Sequence, residues 1–220
     1  MSPQLFPAHS HARDLVSAER RDLAALLGEL SPDEWSLPSL CDGWRVRDVV
    51  AHLLYEDTAP LRYVYESIQA RGSADKLNDL YVRRARRWSH DELLTRYRRT
   101  IDGGVARTSM PRVALADTVI HHQDIRRPLG RPRTIPQERL LSVLEHPDPF
   151  IGSRRIMRGL RFEATDVPWS CGEGPVVRAS GEALVMAVAR RAIDLNDLAG
   201  DGVAEFVCRL GPTSGSFPGR

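Results

Sequence analysis

Apolar positions recur at helical spacing through the first two-thirds of the chain. Between Ala12 and Leu30, the residues Leu15, Val16, Leu23, Leu26, Leu27 and Leu30 follow a 3.6-residue period and predict a long amphipathic helix. "SPDEW" (31–35) offers Ser31 as an N-cap, Pro32 at the first helical position and Glu34 to complete a capping box. "SLPSLCDGW" follows at once, so only a short turn is expected there. Val46, Val49, Val50, Leu53 and Leu54 predict a second long helix from Val46 to about Ala70, closed by Gly72 and Ser73. "SADKLNDLYVRRARRW" and "SHDELLTRYRRTID" read as one broken helix or two short ones, with Ser89 capping the second and Gly103 and Gly104 stopping it. A further helix spans about Pro111 to Arg127, ended by Pro128 and Gly130, and "IPQERLLSVLEH" begins the next with Pro136 near its start.

Near residue 160 the pattern changes. "LRFEATDVPWSCGEGPVVRAS" alternates, carries turn residues and is β-branched, which predicts two or three short antiparallel strands. The segment from Gly181 to Leu210 returns to helix. The expected architecture is therefore mainly α: a helical bundle over residues 1–145, a small C-terminal α/β domain over 146–210 and a disordered tail over 211–220.

Composition narrows the function classes. A chain of 220 residues can bury a sizeable core, and a net charge of +2 creates no broad field to draw in nucleic acid or a membrane. Lys76 is the only lysine, an arginine bias that fits a GC-rich bacterial genome. Cys41, Cys171 and Cys208 are too few and too scattered for a disulfide framework or a cysteine-based zinc motif, which points to a reducing compartment. The N-terminus lacks a signal-peptide pattern and no apolar run is long enough to span a bilayer, so a cytoplasmic location is expected. "VRRARRW" (82–88) and "GRPR" (130–133) read as a solvated helix face and a helix-terminating loop, and no nucleic-acid partner is expected.

The candidate chemistry lies in "LADTVIHHQDIRRPLGRP" (115–132). Val113, Ala116 and Ile120 mark an inward stripe, and Asp117, His121 and Asp124 fall on the same side. A carboxylate and an imidazole at i and i+4 can present their donor atoms to one point, as in helical zinc motifs. The same pair is common on solvated helices, so spacing leaves both readings open. Asp124 is placed to orient a ligand, and His122, about 100° further round, is a fallback. His52 follows a run of core valines, with Asp48 and Glu56 four residues either side as potential partners. Spacing does not join His52 to Asp117. Cys41 reads as a packed cysteine. Trp35 and Trp44 read as staples of their loop, with lining of a ligand pocket as the alternative.

Trp35, Ser39, Leu40, Cys41, Gly43, Trp44, Val46, Arg47, Asp48, Ala51 and His52 together form a pattern. It closely resembles the start of the mycothiol-dependent maleylpyruvate isomerase family, within the wider DinB-like four-helix bundles. The acid-x-x-x-His segment with "QDIRRPLGR" after it, and the stretch from "ATDVPWSCGEG" to "LNDLAGDGV", resemble actinobacterial relatives of that family. The resemblance implies a DinB-like four-helix bundle with a small C-terminal α/β element. It also implies a divalent metal, zinc first and nickel second, on His52, Asp117 and His121. The characterised isomerase has Glu where this chain has Asp117. Trp44, lining the pocket, and Asp124, supporting a metal ligand, are the candidate cofactor-binding residues, and the implied cosubstrate is mycothiol or another low-molecular-weight thiol. The family's catalytic arginine lies in its C-terminal domain, where Arg190 and Arg191 are the candidates by position. Three protein ligands leave a coordination position open, the layout of catalytic zinc. The implied function is transfer of the thiol to, or isomerisation of, a small electrophile. A non-catalytic metal- or ligand-binding protein and a metal-dependent hydrolase are the alternatives, and assembly into a homodimer is left open.

Overall fold

The chain divides into two compact units, Met1–Arg131 and Pro132–Arg220. The computed structural model describes residues 5–211, with side chains from Ser10 onward, so the expected tail lies outside the described residues apart from Gly211. The division falls earlier than the expected boundary at 145. The helix at Gln137–Glu145 belongs to the second unit, where Leu140 and Leu144 press on Gly181 so closely that a Cβ there would sit 2.9–3.2 Å from them.

The first unit contains α1 (Leu5–Glu29), α2 (Val46–Leu53), α3 (Pro60–Gln69), α4 (Ala74–Ala85), α5 (His90–Arg99), α6 (Val105–Ser109) and α7 (Pro111–Arg126). Helix α1 packs along α7 and α5, and α2 lies against α4, α5 and α7. Leu23, Leu27, Val46, Val49, Val50, Leu93, Tyr97 and Ile125 form the core between them, with Trp35 sealing one end.

The single helix expected from Val46 to Ala70 is broken. Helix α2 ends at Leu53, a 3-10 turn covers Leu54–Asp57, Thr58 and Ala59 are extended, and α3 restarts with Pro60 at its first turn. Proline has no N–H for the helix ladder, its ring clashes with the preceding turn, and it pushes the residue before it out of the helical region. The break turns Glu56 inward to an ion pair with Arg20 of α1, both buried. Of the two readings for residues 73–102, two helices form: Ser73 caps α4, and Ser89 and Glu92 make a reciprocal capping box on α5.

The second unit holds α8 (Gln137–Glu145), α9 (Ser153–Met157), β1 (Arg161–Ala164), β2 (Ser170–Cys171), β3 (Val176–Ala179), α10 (Gly181–Val188) and α11 (Val203–Leu210). The sheet order is β2-β1-β3. The β1–β2 pair is antiparallel as expected, but β1 and β3 run parallel, with Phe162 opposite Val177. After β2 the chain crosses beneath the start of β1 instead of folding back beside β2. Gly172 (φ +83°) and Gly174 (φ +122°) make this crossing, each so close to a backbone carbonyl, of Leu160 and Gly159, that a Cβ would collide with it. The described residues are mainly helical, as the apolar periodicity predicts, and none of their helices is long and apolar enough to cross a membrane.

Candidate metal centre

The site lies within the first unit and is built from α2, α7 and the loop before α2. Helix α2 is fixed at its start by Asp48, whose carboxylate accepts from the Arg45 backbone N–H at 3.1 Å and from its guanidinium at 2.9 Å. Val46, Val49, Val50 and Leu53 bury one face, which leaves His52 on the neighbouring face in the last turn. Helix α7 is buried along most of its length, from Ala114 to Ile125. Asp117 and His121, one turn apart, point toward His52.

The three side chains meet. The Asp117 Oδ1 lies 3.4 Å from His121 Nε2 and 3.7 Å from His52 Nε2, and one donor atom from each residue falls within 4.8 Å of the others. The two imidazoles stand edge to face at 4.8 Å between centroids. Side-chain exposure is 12% for His52, 18% for Asp117 and 10% for His121, so the cluster is largely sheltered from solvent. The Tyr55 hydroxyl donates to Asp117 Oδ2 at 3.2 Å, which leaves Oδ1 as the atom facing both histidines.

The opposite edge of His121 is held separately. Its Nδ1 donates to Asp124 Oδ2 at 2.9 Å, an arrangement that fixes the tautomer and aims Nε2 at the cluster. Asp124 in turn accepts from the Cys41 thiol at 3.0 Å. The loop carrying Cys41 is clamped to α7 by the Leu40 N–H on the Asp124 carbonyl at 3.0 Å. It is closed by a turn from Cys41 O to the Trp44 N–H, with Gly43 at φ +71°. The Trp44 ring lies 5.4 Å from that of His52.

The electrostatics fit a cation. Burial opposes charge on Asp117, but hydrogen bonds and charge from His121 and His52 outweigh it and hold the carboxyl well below its usual range. Burial likewise opposes a cationic His121, yet the Cys41 sulfur beside it and hydrogen bonds to Asp117 and Asp124 raise its affinity for a proton well above the ordinary imidazole value. The pocket thus favours positive charge at its centre. His52 turns Nε2 toward Asp117, while its Nδ1 is buried with no hydrogen-bond partner among the described residues. Two imidazoles and a carboxylate are a donor set for a divalent cation, and the residues present fit one.

Several expectations need correction. Asp48 and Glu56 are not partners of His52: Asp48 caps α2 on Arg45, and Glu56 is taken by Arg20. His122, the fallback ligand, points away as its place about 100° round the helix implies, fully buried between Glu19 at 2.8 Å and the Arg126 guanidinium at 2.8 Å. Cys41 is not simply packed, because its sulfur also lies 3.6 Å from His121 Nδ1, and Cys41, His121 and Asp124 form a second convergent donor set. Nothing in its spacing could have joined it to residues eighty positions away. Tyr55 was legible, since it sits three residues after His52 on the same helical face. Arg190 and Arg191 lie in the second unit. There Arg190, at φ +59°, and Arg191 close the end of α10 through N–H bonds to Ala187 O and Met186 O. Their guanidinium groups donate to the carbonyls of Leu210 (3.0 Å) and Ala189 (3.1 Å).

Residues 16–109 match the family model of the mycothiol maleylpyruvate isomerase N-terminal domain. The crystal structure of the mycothiol-dependent maleylpyruvate isomerase shares the fold at 15% sequence identity and a TM-score of 0.61, covering 88% of this chain and 92% of that one. A histidine-to-alanine mutant of that isomerase matches at 14% identity and a TM-score of 0.60, with the same coverage. No curated protein matches in sequence. The matched stretch, residues 16–109, contains the "SLCDGW" and "VRDVVAH" segments that resemble the same family.

Proposed function

We propose that the first unit binds a divalent metal ion through His52, Asp117 and His121, and that the protein uses it to react a small thiol with an electrophilic substrate. The observation that carries this reading is the convergence of those three donor groups within 4.8 Å, with Asp124 gripping the far nitrogen of His121. The mixed nitrogen and oxygen donors favour zinc, with nickel next. When bound, the ion supplies an open coordination position whose positive charge lowers the pKa of a thiol or a water placed there.

The chain's own residues prepare the site for that step. Asp124 keeps His121 in the tautomer that offers Nε2. Tyr55 occupies one oxygen of Asp117 so that the other faces the histidines. Trp44 packs an aromatic wall beside His52, where it would meet a bound thiol. In isomerisation the sulfur adds to one carbon of a double bond, rotation follows and the sulfur is expelled, so the thiol returns unchanged. In transfer the S–C bond persists and the thiol proton passes to the product or leaves with the departing group. That the two similar crystal structures are of a mycothiol-dependent maleylpyruvate isomerase favours a thiol as cosubstrate. Catalytic roles for Arg190 and Arg191 belong to the same proposal, and replacing each with glutamine tests them.

The test begins with metal. Purified protein should contain close to one equivalent of zinc or nickel by elemental analysis, and added metal should raise the melting temperature of the stripped protein. His52→Ala should abolish both. Metal-loaded protein should then consume thiol with an activated aromatic halide, or isomerise maleylpyruvate in the presence of thiol. Absence of metal together with no thermal response would overturn the reading. Metal uptake with no turnover across thiols would assign a binding protein, or a hydrolase if ester cleavage is found instead.

A further inference from the structure

The basic run "VRRARRW" has a structural role that its sequence does not disclose. Where α2, the 3-10 turn, α3, α4 and α5 meet, the first unit encloses a cleft of about 420 Å³. It shares no residue with the His52–Asp117–His121 cluster. Ala51 and Leu54 form its apolar floor, and Arg62, Arg84, Arg87 and Arg96 line it together with Trp88. Asp57 is the one acidic residue in the lining.

The four guanidinium groups differ in what holds them. Arg62 and Arg84 both reach Glu66, on the same oxygen, from α3 and α4. Arg96 is stacked over the Trp88 ring at 4.1 Å and touches Asp57 only at 3.4 Å. Arg87 has no ion-pair partner among the described residues. Two carboxylates therefore serve four cations, and the surplus positive charge is directed into a concave space.

A second feature points the same way. Thr58 and Ala59 line the cleft, so the N-terminus of α3, a ten-residue helix, opens onto it. That terminus has Ala59 at its N-cap position and no side-chain cap. Its first backbone N–H groups and the positive end of its dipole lack the acceptor that a serine or aspartate normally provides. Several guanidinium donors around an uncapped helix start match a group with several anionic oxygens, and planar guanidinium forks suit phosphoryl oxygens better than a single carboxylate does.

We propose that this cleft binds the phosphoryl group of a small phosphate-bearing molecule. The volume accommodates the phosphate and a modest organic portion, at the lower end of the size of small-molecule sites, roughly 300–1,000 Å³. The proposal is independent of the metal centre, since it uses neither its residues nor its chemistry.

Isothermal titration of the full chain with inorganic pyrophosphate at low ionic strength tests it. Saturable binding at about one equivalent is expected, weakened at least fivefold by Arg87→Gln and by Arg96→Gln. Arg83→Gln is the control: Arg83 lies on α4 outside the cleft, paired with Asp79 at 3.6 Å, and its loss should leave the affinity unchanged. Arg87 is exposed and has no ion-pair partner among the described residues, so its replacement does not threaten folding, and a far-UV spectrum checks this. A parallel sedimentation arm with phosphatidic acid vesicles separates the sources of the phosphoryl group. Vesicle binding that is also lost in Arg87→Gln assigns it to a lipid headgroup, and vesicle binding that is absent assigns it to a soluble ester. No saturable binding at millimolar pyrophosphate, or an equal loss in Arg83→Gln, overturns the proposal. So does tighter binding to duplex DNA that Arg87→Gln does not weaken.

Discussion

His121 is the residue on which the proposed centre turns, because its two nitrogens answer to different partners. Nε2 faces Asp117 and His52, while Nδ1 is committed to Asp124, which also takes the Cys41 thiol. A carboxylate in that position orients the imidazole and increases its basicity, and its loss typically weakens a metal site by about 10–100-fold. Asp124→Asn keeps the size of this fully buried side chain but removes the charge, so metal affinity measured by competition with a chromophoric chelator should fall within that range. An unchanged affinity would show that Asp124 serves folding alone. At this scale the sequence was legible where local geometry does the work. The i, i+4 spacing of Asp117 and His121 puts both on one face whatever surrounds the helix. The link from His52 to that pair, and from Cys41 to Asp124, is a tertiary fact that no local period contains, and for His52 it was the resemblance around "VRDVVAH" that bridged the gap.

Among the elements, the α2–α3 segment shows why the hydrophobic pattern was an incomplete guide. The apolar positions continue at helical spacing past Leu54, but Pro60 removes a ladder bond and excludes Ala59 from the helical region, and the backbone cost outweighs the pattern. Residues 60–69 then need another anchor, since Leu61, Val64, Tyr65 and Ile68 stay largely exposed. Glu66 supplies it: nearly buried, it accepts from Arg62 at 2.8 Å, from Arg84 and from the Tyr81 hydroxyl at 2.9 Å, joining α3 to α4. Burial raises the Glu66 pKa, but Arg84, Arg62 and Tyr81 outweigh it and the net shift is downward. A carboxyl whose folded pKa lies below its unfolded value, about 4.3 for glutamate, contributes stability that is complete above the unfolded value and is lost as pH falls through the folded one. Glu66→Gln should therefore melt below the parent at pH 7, with the gap narrowing as the pH is lowered past about 4, as followed by circular dichroism. A gap that stays constant with pH would show that the charge of Glu66 is not what ties α3 down. The parallel placement of β3 was illegible for a different reason. Strand direction depends on where the chain crosses, and the two crossing glycines look in sequence like an ordinary hairpin turn.

Across the first unit as a whole, buried charge on α1 organises the helices around the site. Glu19 and Arg20 are adjacent and both buried, yet they reach in different directions. Glu19 pairs with His122 on α7, one position from the proposed ligand His121. Arg20 pairs with Glu56 and donates to the carbonyls of Thr100, at 2.6 Å, and Gly103, at 3.0 Å. Glu56 also accepts from the N–H of Ala106 at 2.9 Å, and Gly104 approaches it so closely that a Cβ would strike its carboxylate. One carboxylate thus holds α1, the turn after α2 and the start of α6, and that turn also carries Tyr55 to Asp117. Replacing such a pair with matched apolar groups can be nearly neutral, but removing one partner strands the other charge in the interior at a cost of about 3–5 kcal/mol. Glu56→Ala should lower the stability of the full chain by that amount in urea denaturation. It should also weaken metal binding, because Tyr55 loses the turn that positions it. Glu56→Gln, which still accepts from Ala106, should cost less. A loss for Glu56→Ala below about 1 kcal/mol would mean that the Thr100 and Gly103 carbonyls alone satisfy Arg20, since two hydrogen bonds to a charged group can each contribute about 1.5–3 kcal/mol.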